Sequence, residues 1–302
     1  MLSSSHLRFI KVALLLMVLG LSGCTAEKPV SSLDQKLVLT SISPLANLIK
    51  QVGGDKIQVV NLVPAGTDPH DYEPKPEAVR QVTTAKLFIA NGVGQELYLE
   101  KLIKNAGNSS LQTVVLSEGL PIIGQGPNNQ GNPHLWLDVK NAQIYVEKIE
   151  NALTSAYPEE KETFAKNAKV YISELKALDQ WIEDQIHNLP EDSRKIIVFH
   201  DAWSYYANRY GLTVLTPVVH NGEAEPSAKE YAEIIQLIQK HKVKAVFGEV
   251  GFNPKLIHQL ANETGVKVVD NLYDDTLGNT PETDTYIEVM KHNTNALVSA
   301  LR

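Results

Sequence analysis

The sequence predicts an α/β protein of two lobes, each with a mainly parallel four-stranded sheet flanked by helices, joined by one long rigid helix. Three observations predict it. Short apolar, β-rich runs alternate with amphipathic stretches from Leu37 onward, and the same alternation restarts at Lys195. Between the two series, apolar residues recur at three- and four-residue steps, the stripe of a single amphipathic helix. With 302 residues and 43% hydrophobic content the chain can bury a full core and is long enough for about two domains.

The N-terminal segment stands apart from the rest. Arg8 and Lys11 precede an apolar run from Val12 to Leu21 that ends in Ser22 and Gly23 before Cys24. That is the pattern of a signal peptide over residues 1–23, and the apolar run falls well short of the ~20 residues that a bilayer-spanning helix needs. Leu21-Ser22-Gly23-Cys24 resembles the lipobox of bacterial lipoproteins, which implies acylation of Cys24 and its exposure as the first mature residue. Residues 24–36 then read as a tether. Cys24 is the only cysteine, so no intramolecular disulfide can form, and any metal site in the fold must use nitrogen and oxygen.

The first lobe, residues 37–157, is expected to hold strands at Leu37–Thr40, Ile57–Val63, Leu87–Ala90 and Thr113–Leu116. Helices are expected near Pro44–Val52, Pro76–Thr84 and Gln95–Asn105, the first stopped by Gly53-Gly54, which can take positive φ without a Cβ clash. The linking helix, within 158–190, carries Phe164, Ala168, Tyr171, Leu175, Leu178, Ile182 and Ile186 on one face. At about thirty residues it would measure roughly 45 Å, enough to cross between lobes. The second lobe, residues 191–302, is expected to hold strands at Ile196–Phe199, Thr213–Val219, Val243–Phe247 and Val266–Asp270. Helices near Trp203–Tyr210, Ala228–His241, Pro254–Thr264 and Glu282–Leu301 complete it.

Charge narrows the partners. Thirty-five acidic against 28 basic residues give a formal charge of -7, and no Lys/Arg block interrupts the mature region. Nothing attracts a phosphate backbone, so nucleic acid is not an expected partner.

Four segments display metal-ligating side chains in loops or at strand ends, where rigid scaffolds present functional groups. They are Thr67-Asp68-Pro69-His70-Asp71-Tyr72-Glu73-Pro74, Asn132-Pro133-His134-Leu135-Trp136-Leu137-Asp138, Phe199-His200-Asp201-Ala202 and Tyr273-Asp274-Asp275-Thr276-Leu277-Gly278. Prolines brace His70, and His200 ends a β-rich run. His187, His220, His241, His258 and His292 have no comparable setting and read as ordinary hydrogen-bonded residues. Three imidazoles and a carboxylate suit a borderline divalent ion, because nitrogen selects transition metals over calcium or magnesium.

Together with the lipobox, these motifs resemble, in the same order along nearly the whole mature chain, the zinc/manganese solute-binding lipoproteins of metal ABC transporters. The resemblance implies an ion held between the lobes by His70, His134, His200 and Asp275, with Asp274 as the alternative acid. It also implies a protein that binds without catalysis, works as a monomer on the outer side of the cytoplasmic membrane through its lipid at Cys24, and hands its ion to a permease with an attached ATPase. Family members associated with manganese commonly carry Glu at the third position, whereas this chain has His200, which moves preference toward Zn2+ and leaves Mn2+ as the alternative. Many zinc-specific relatives carry a His-rich loop before the second ligand, but the loop Gly124 to Pro133 contains no His. Asp71, Asp138, Asp201 and Glu249 are candidates to accept the second N–H of the metal-bound imidazoles, with helix capping as the other role open to them, notably for Asp201. A zinc hydrolase using Glu249 as general base is a weaker reading, since the chain has no His-Glu-x-x-His helix; a metal-binding surface adhesin is another.

Overall fold

The computed structural model describes residues 36–70, 72–124, 126, 131–219 and 225–302. The signal peptide, Cys24, Asp71 and the tether up to Gln35 lie outside the described residues.

Two parallel four-stranded sheets organise the described chain. In the first, β1 (Lys36–Thr40), β2 (Ile57–Asn61), β3 (Leu87–Ala90) and β4 (Gln112–Val115) lie in the order β2-β1-β3-β4. In the second, β5 (Lys195–Val198), β6 (Thr213–Pro217), β7 (Ala245–Glu249) and β8 (Lys267–Leu272) repeat that order as β6-β5-β7-β8. Every residue of β3 and of β7 is buried, as expected for inner strands of a parallel sheet covered on both faces. In each sheet the chain first adds a neighbour on one side and then crosses to the other. That reversal leaves a crevice at the carboxyl ends of β1/β3 and of β5/β7, the ordinary ligand position in such sheets.

Nine helices are assigned among the described residues: α1 (Ser43–Gly53), α2 (Pro76–Thr84), α3 (Leu97–Asn105), α4 (Val139–Ala156), α5 (Lys161–His187), α6 (Ser204–Tyr210), α7 (Ala228–His241), α8 (Lys255–Thr264) and α9 (Tyr286–Leu301). Gly54 caps α1 at φ +59°. The linking helix α5 has 27 residues, about 40 Å at the usual rise, and is preceded by a 3-10 turn at Pro158–Glu160. Its expected stripe, Phe164 to Ile186, is buried throughout. That stripe joins one hydrophobic core containing Val38 and Leu87 of the first sheet and Val198 and Phe247 of the second. Asp179 of α5 accepts from Arg209 Nε at 3.1 Å and from Tyr210 Oη at 2.9 Å, fastening the helix to α6.

Several strand bounds differ from expectation by one or two residues, among them β7, which runs Ala245–Glu249 and not Val243–Phe247, and three helices differ in ways the structure explains. Helix α4 was not assigned from the sequence, although Ala142, Tyr145, Val146, Ile149, Leu153 and Ala156 form a legible apolar stripe, all buried. Helix α3 starts at Leu97, not Gln95, because Gly92, Val93 and Gly94 run at positive φ and keep the preceding turn non-helical. Helix α9 starts after Thr285, whose hydroxyl accepts from the Glu288 amide, so 282–285 form its approach.

Candidate metal centre

Each side chain of the cluster is held in a loop, three of them in loops that follow a strand and His134 in the approach to α4. His70 comes from the loop after β2, where Asp68 Oδ1 accepts its backbone amide at 2.8 Å. His134 precedes the short 3-10 turn Leu135–Leu137, and Asn132 Oδ1 accepts its backbone amide at 3.1 Å. His200 follows β5, directly at the strand-order reversal of the second sheet. Asp275 lies in the loop after β8, held from three sides: Trp136 Nε1 donates to Asp274 O at 2.8 Å, the Leu277 amide donates to Ser43 Oγ at 2.8 Å, and the Gly66 amide donates to Thr276 Oγ1 at 2.8 Å. A loop of the second lobe is thus bolted to three segments of the first.

The structure brings His70, His134, His200 and Asp275 together, with one nitrogen or oxygen from each lying within 4.8 Å of every other. Asp275 Oδ2 is 3.3 Å from His70 Nε2, and Asp275 Oδ1 is 3.4 Å from His134 Nε2. The Nε2 atoms of His134 and His200 face one another at 3.2 Å. The side chains of His134, His200 and Asp275 are 2–3% exposed, whereas His70 is 21% exposed and forms the mouth. His70 Nε2 and both Asp275 oxygens are buried without a hydrogen-bond partner among the described residues. Buried polar atoms are ordinarily paired, and four inward-facing donors from distant loops fit a cation on common ground.

The far nitrogens are fixed. His134 Nδ1 donates to Asn132 Oδ1 at 2.9 Å, and Asn132 Nδ2 in turn donates to Asp201 O at 2.6 Å. His200 Nδ1 donates to Glu249 Oε2 at 2.6 Å, while Trp203 Nε1 donates to Glu249 Oε1 at 2.8 Å. Both bonds leave Nε2 pointing into the cluster.

Glu249 is therefore the one of the four carboxylate candidates whose bond to a cluster imidazole is described. Asp138 accepts the Lys140 amide as the N-cap of α4, and Asp201 accepts from Ser204 Oγ at 2.9 Å. Asp71 lies outside the described residues. Sequence reasoning had not singled out Asn132 or Trp203 as supports; an Asn two residues before a ligand was the available signal. Asp274 proves to be a neighbour of His200, with Oδ2 3.5 Å from Nδ1.

Electrostatics differ sharply within the cluster. Burial pushes His134 down to about 4, outweighing Asp275 beside it. Burial also lowers His200, but Glu249 and Asp274 outweigh it and push the group up to about 10. For His70, desolvation is overcome by its contact with Asp275, leaving it above the ordinary imidazole value. Asp275 resists the effect of burial because His134 and His70 hold it below the usual carboxylate range. Burial, reinforced by Glu249, pushes Asp274 well above that range. The adjacent acids are thus pushed in opposite directions, Asp275 down by the imidazoles of the cluster and Asp274 up by burial.

The family model described as zinc-uptake complex component A, periplasmic, matches residues 38–300. Among curated relatives, the manganese-binding lipoprotein MntA of Halalkalibacterium halodurans is 32% identical, over 95% of this chain and 96% of its own. The metal ABC transporter substrate-binding lipoprotein SsaB of Streptococcus sanguinis is 30% identical, over 95% and 96%. Among solved structures, ZnuA superposes with a TM-score of 0.80 at 27% identity, covering 89% of this chain and 100% of that one. A manganese-bound variant of the periplasmic metal-binding protein from Candidatus Liberibacter asiaticus gives 0.79 at 25% identity, with 89% and 100% covered.

Proposed function

Because this chain belongs to the zinc-uptake complex component A family, we propose that it is the extracytoplasmic substrate-binding protein of a metal ABC importer. It takes one Zn2+ or Mn2+ ion as cargo between its lobes and delivers it to the permease, which works with an ATPase. The observation that carries this reading is the convergence of His70, His134, His200 and Asp275 from four separate loops.

Binding is the whole of the activity in this reading. The Nε2 atoms of the three imidazoles and the Asp275 carboxylate are the ligands, Glu249 and Asn132 orient two of the rings, and no catalytic step is assigned. The lobes, 37–157 and 191–302 with 158–190 between them, act as a monomer tethered through a lipid on Cys24. Three nitrogens and one oxygen favour zinc, and the manganese named for MntA makes Mn2+ the competing cargo. Elemental analysis of protein purified without added metal, then competition between the two ions, tests this. One equivalent of bound ion, with zinc displacing manganese, is expected; a protein that retains neither would overturn the proposal.

A further inference from the structure

The segment that carries His134 is gripped from both lobes, and the two grips respond differently to lobe motion. Within its own lobe, Asn91 Nδ2 donates to the Pro133 carbonyl at 2.8 Å, and Tyr145 Oη fixes Asn91 by donating to its Oδ1 at 2.6 Å. From the other lobe, α6 presents the buried Tyr205. The Tyr205 hydroxyl accepts from the Ile123 amide and donates to the Asn132 carbonyl, both at 2.9 Å.

Ile123 and Asn132 are already joined directly, the Asn132 amide donating to the Ile123 carbonyl at 2.9 Å. Facing residues of an antiparallel hydrogen-bonded pair exchange two such bonds. Here the second bond passes through the phenol hydroxyl, so a side chain of the second lobe closes a backbone pair of the first. Asn132 is also the residue that aims His134, since its Oδ1 accepts from the His134 amide at 3.1 Å and from Nδ1 at 2.9 Å. His200 has no such dependence, because Glu249 and Trp203, which fix its Nδ1, lie in its own lobe. When the lobes shift, Asn91 and Pro133 move together and keep their bond, whereas the Tyr205 bonds are stretched.

We propose that Tyr205 is a positioning residue for the bound ion: through Asn132 its hydroxyl keeps His134 in the ligand shell while the lobes are together, and loss of that clasp opens the shell when they shift. The inference rests on the metal-binding reading above. Tyr205 touches no ion itself. It makes the orientation of a first-lobe ligand depend on where the second lobe sits, so a displacement of the size of one hydrogen bond is enough to loosen His134. Release then starts at His134, while His200 stays braced by Glu249.

Two neighbouring phenols on α6 make the test. The Tyr206 hydroxyl pairs with Thr294 Oγ1 at 2.8 Å, wholly within the second lobe, so Tyr206→Phe removes a similarly buried hydroxyl without reaching Asn132. Zinc release from the whole protein to excess chelator, followed by stopped flow, should run about three- to tenfold faster in Tyr205→Phe, the worth of one hydrogen bond. Tyr206→Phe should release zinc at the wild-type rate. Nitrogen-15 NMR of histidine-labelled protein should show the His134 Nδ1 proton exchanging faster with water in Tyr205→Phe alone, a change that a general loss of stability would not confine to one ring. Wild-type release from Tyr205→Phe, or equal acceleration in both variants, would overturn the proposal. Wild-type protein that takes up no zinc would instead sink the transport reading beneath it.

Discussion

Two imidazole nitrogens 3.2 Å apart, His134 Nε2 and His200 Nε2, state the chemistry of the site at its smallest scale. Since Asn132 and Glu249 take the Nδ1 protons, lone pairs would meet there unless a proton or a cation lies between them. His200 is pushed up to about 10, so in the metal-free protein it keeps a proton that the ion must expel. The sign follows: below that value each fall of one pH unit lowers apparent affinity about tenfold per displaced proton. Calorimetry in buffers of different ionisation enthalpy should record proton release on binding; no release would contradict the assignment. Replacing His200→Glu exchanges nitrogen for a harder oxygen and should reduce zinc preference over manganese in competition. Unchanged selectivity would show that this position does not set it. The three histidines were legible because prolines and strand ends mark them. Asn132 and Trp203 were not, since a support is defined by what it touches and neither residue type announces a partner far along the chain.

At the scale of elements, parallel sheets put three of the ligands in loops that follow a strand, and helix α5 holds the two sheets in one core. The stripe of α5 was readable because seven apolar residues at helical spacing leave little choice of face. The start of α3 was not, because it depends on a turn with three successive positive φ angles, one of them at Val93, that no propensity favours. Gly92 is required there on two counts, its φ of +89° and the 2.5 Å that would separate an added Cβ from Val115 Cγ1. Leu175, fully buried on α5, offers a test of that helix as a structural spine. Leu175→Ala is expected to destabilise the protein by about 2–5 kcal/mol, read by chemical denaturation, while the metal stoichiometry stays at one. A loss below that range would mean the helix is not packed as described.

For the whole molecule, a stiff helix fastened through Asp179 to α6 and a loop bolted across the lobes by Trp136, Ser43 and Gly66 oppose a wide hinge. Loading and release then require only a small adjustment of the ligand shell. Small-angle scattering of metal-free and zinc-loaded protein should give nearly the same radius of gyration; a large contraction would contradict this. The two-lobed plan was legible from the restart of the β/α alternation at Lys195, whereas the continuity of the core across the lobes appears only in three dimensions. The most direct measurement is anomalous diffraction from crystals of the zinc-loaded protein. A single peak is expected about 2.0–2.1 Å from the Nε2 atoms of His70, His134 and His200, with an Asp275 oxygen completing the shell. A peak elsewhere, or one that leaves any of the three imidazoles uncoordinated, would contradict the site.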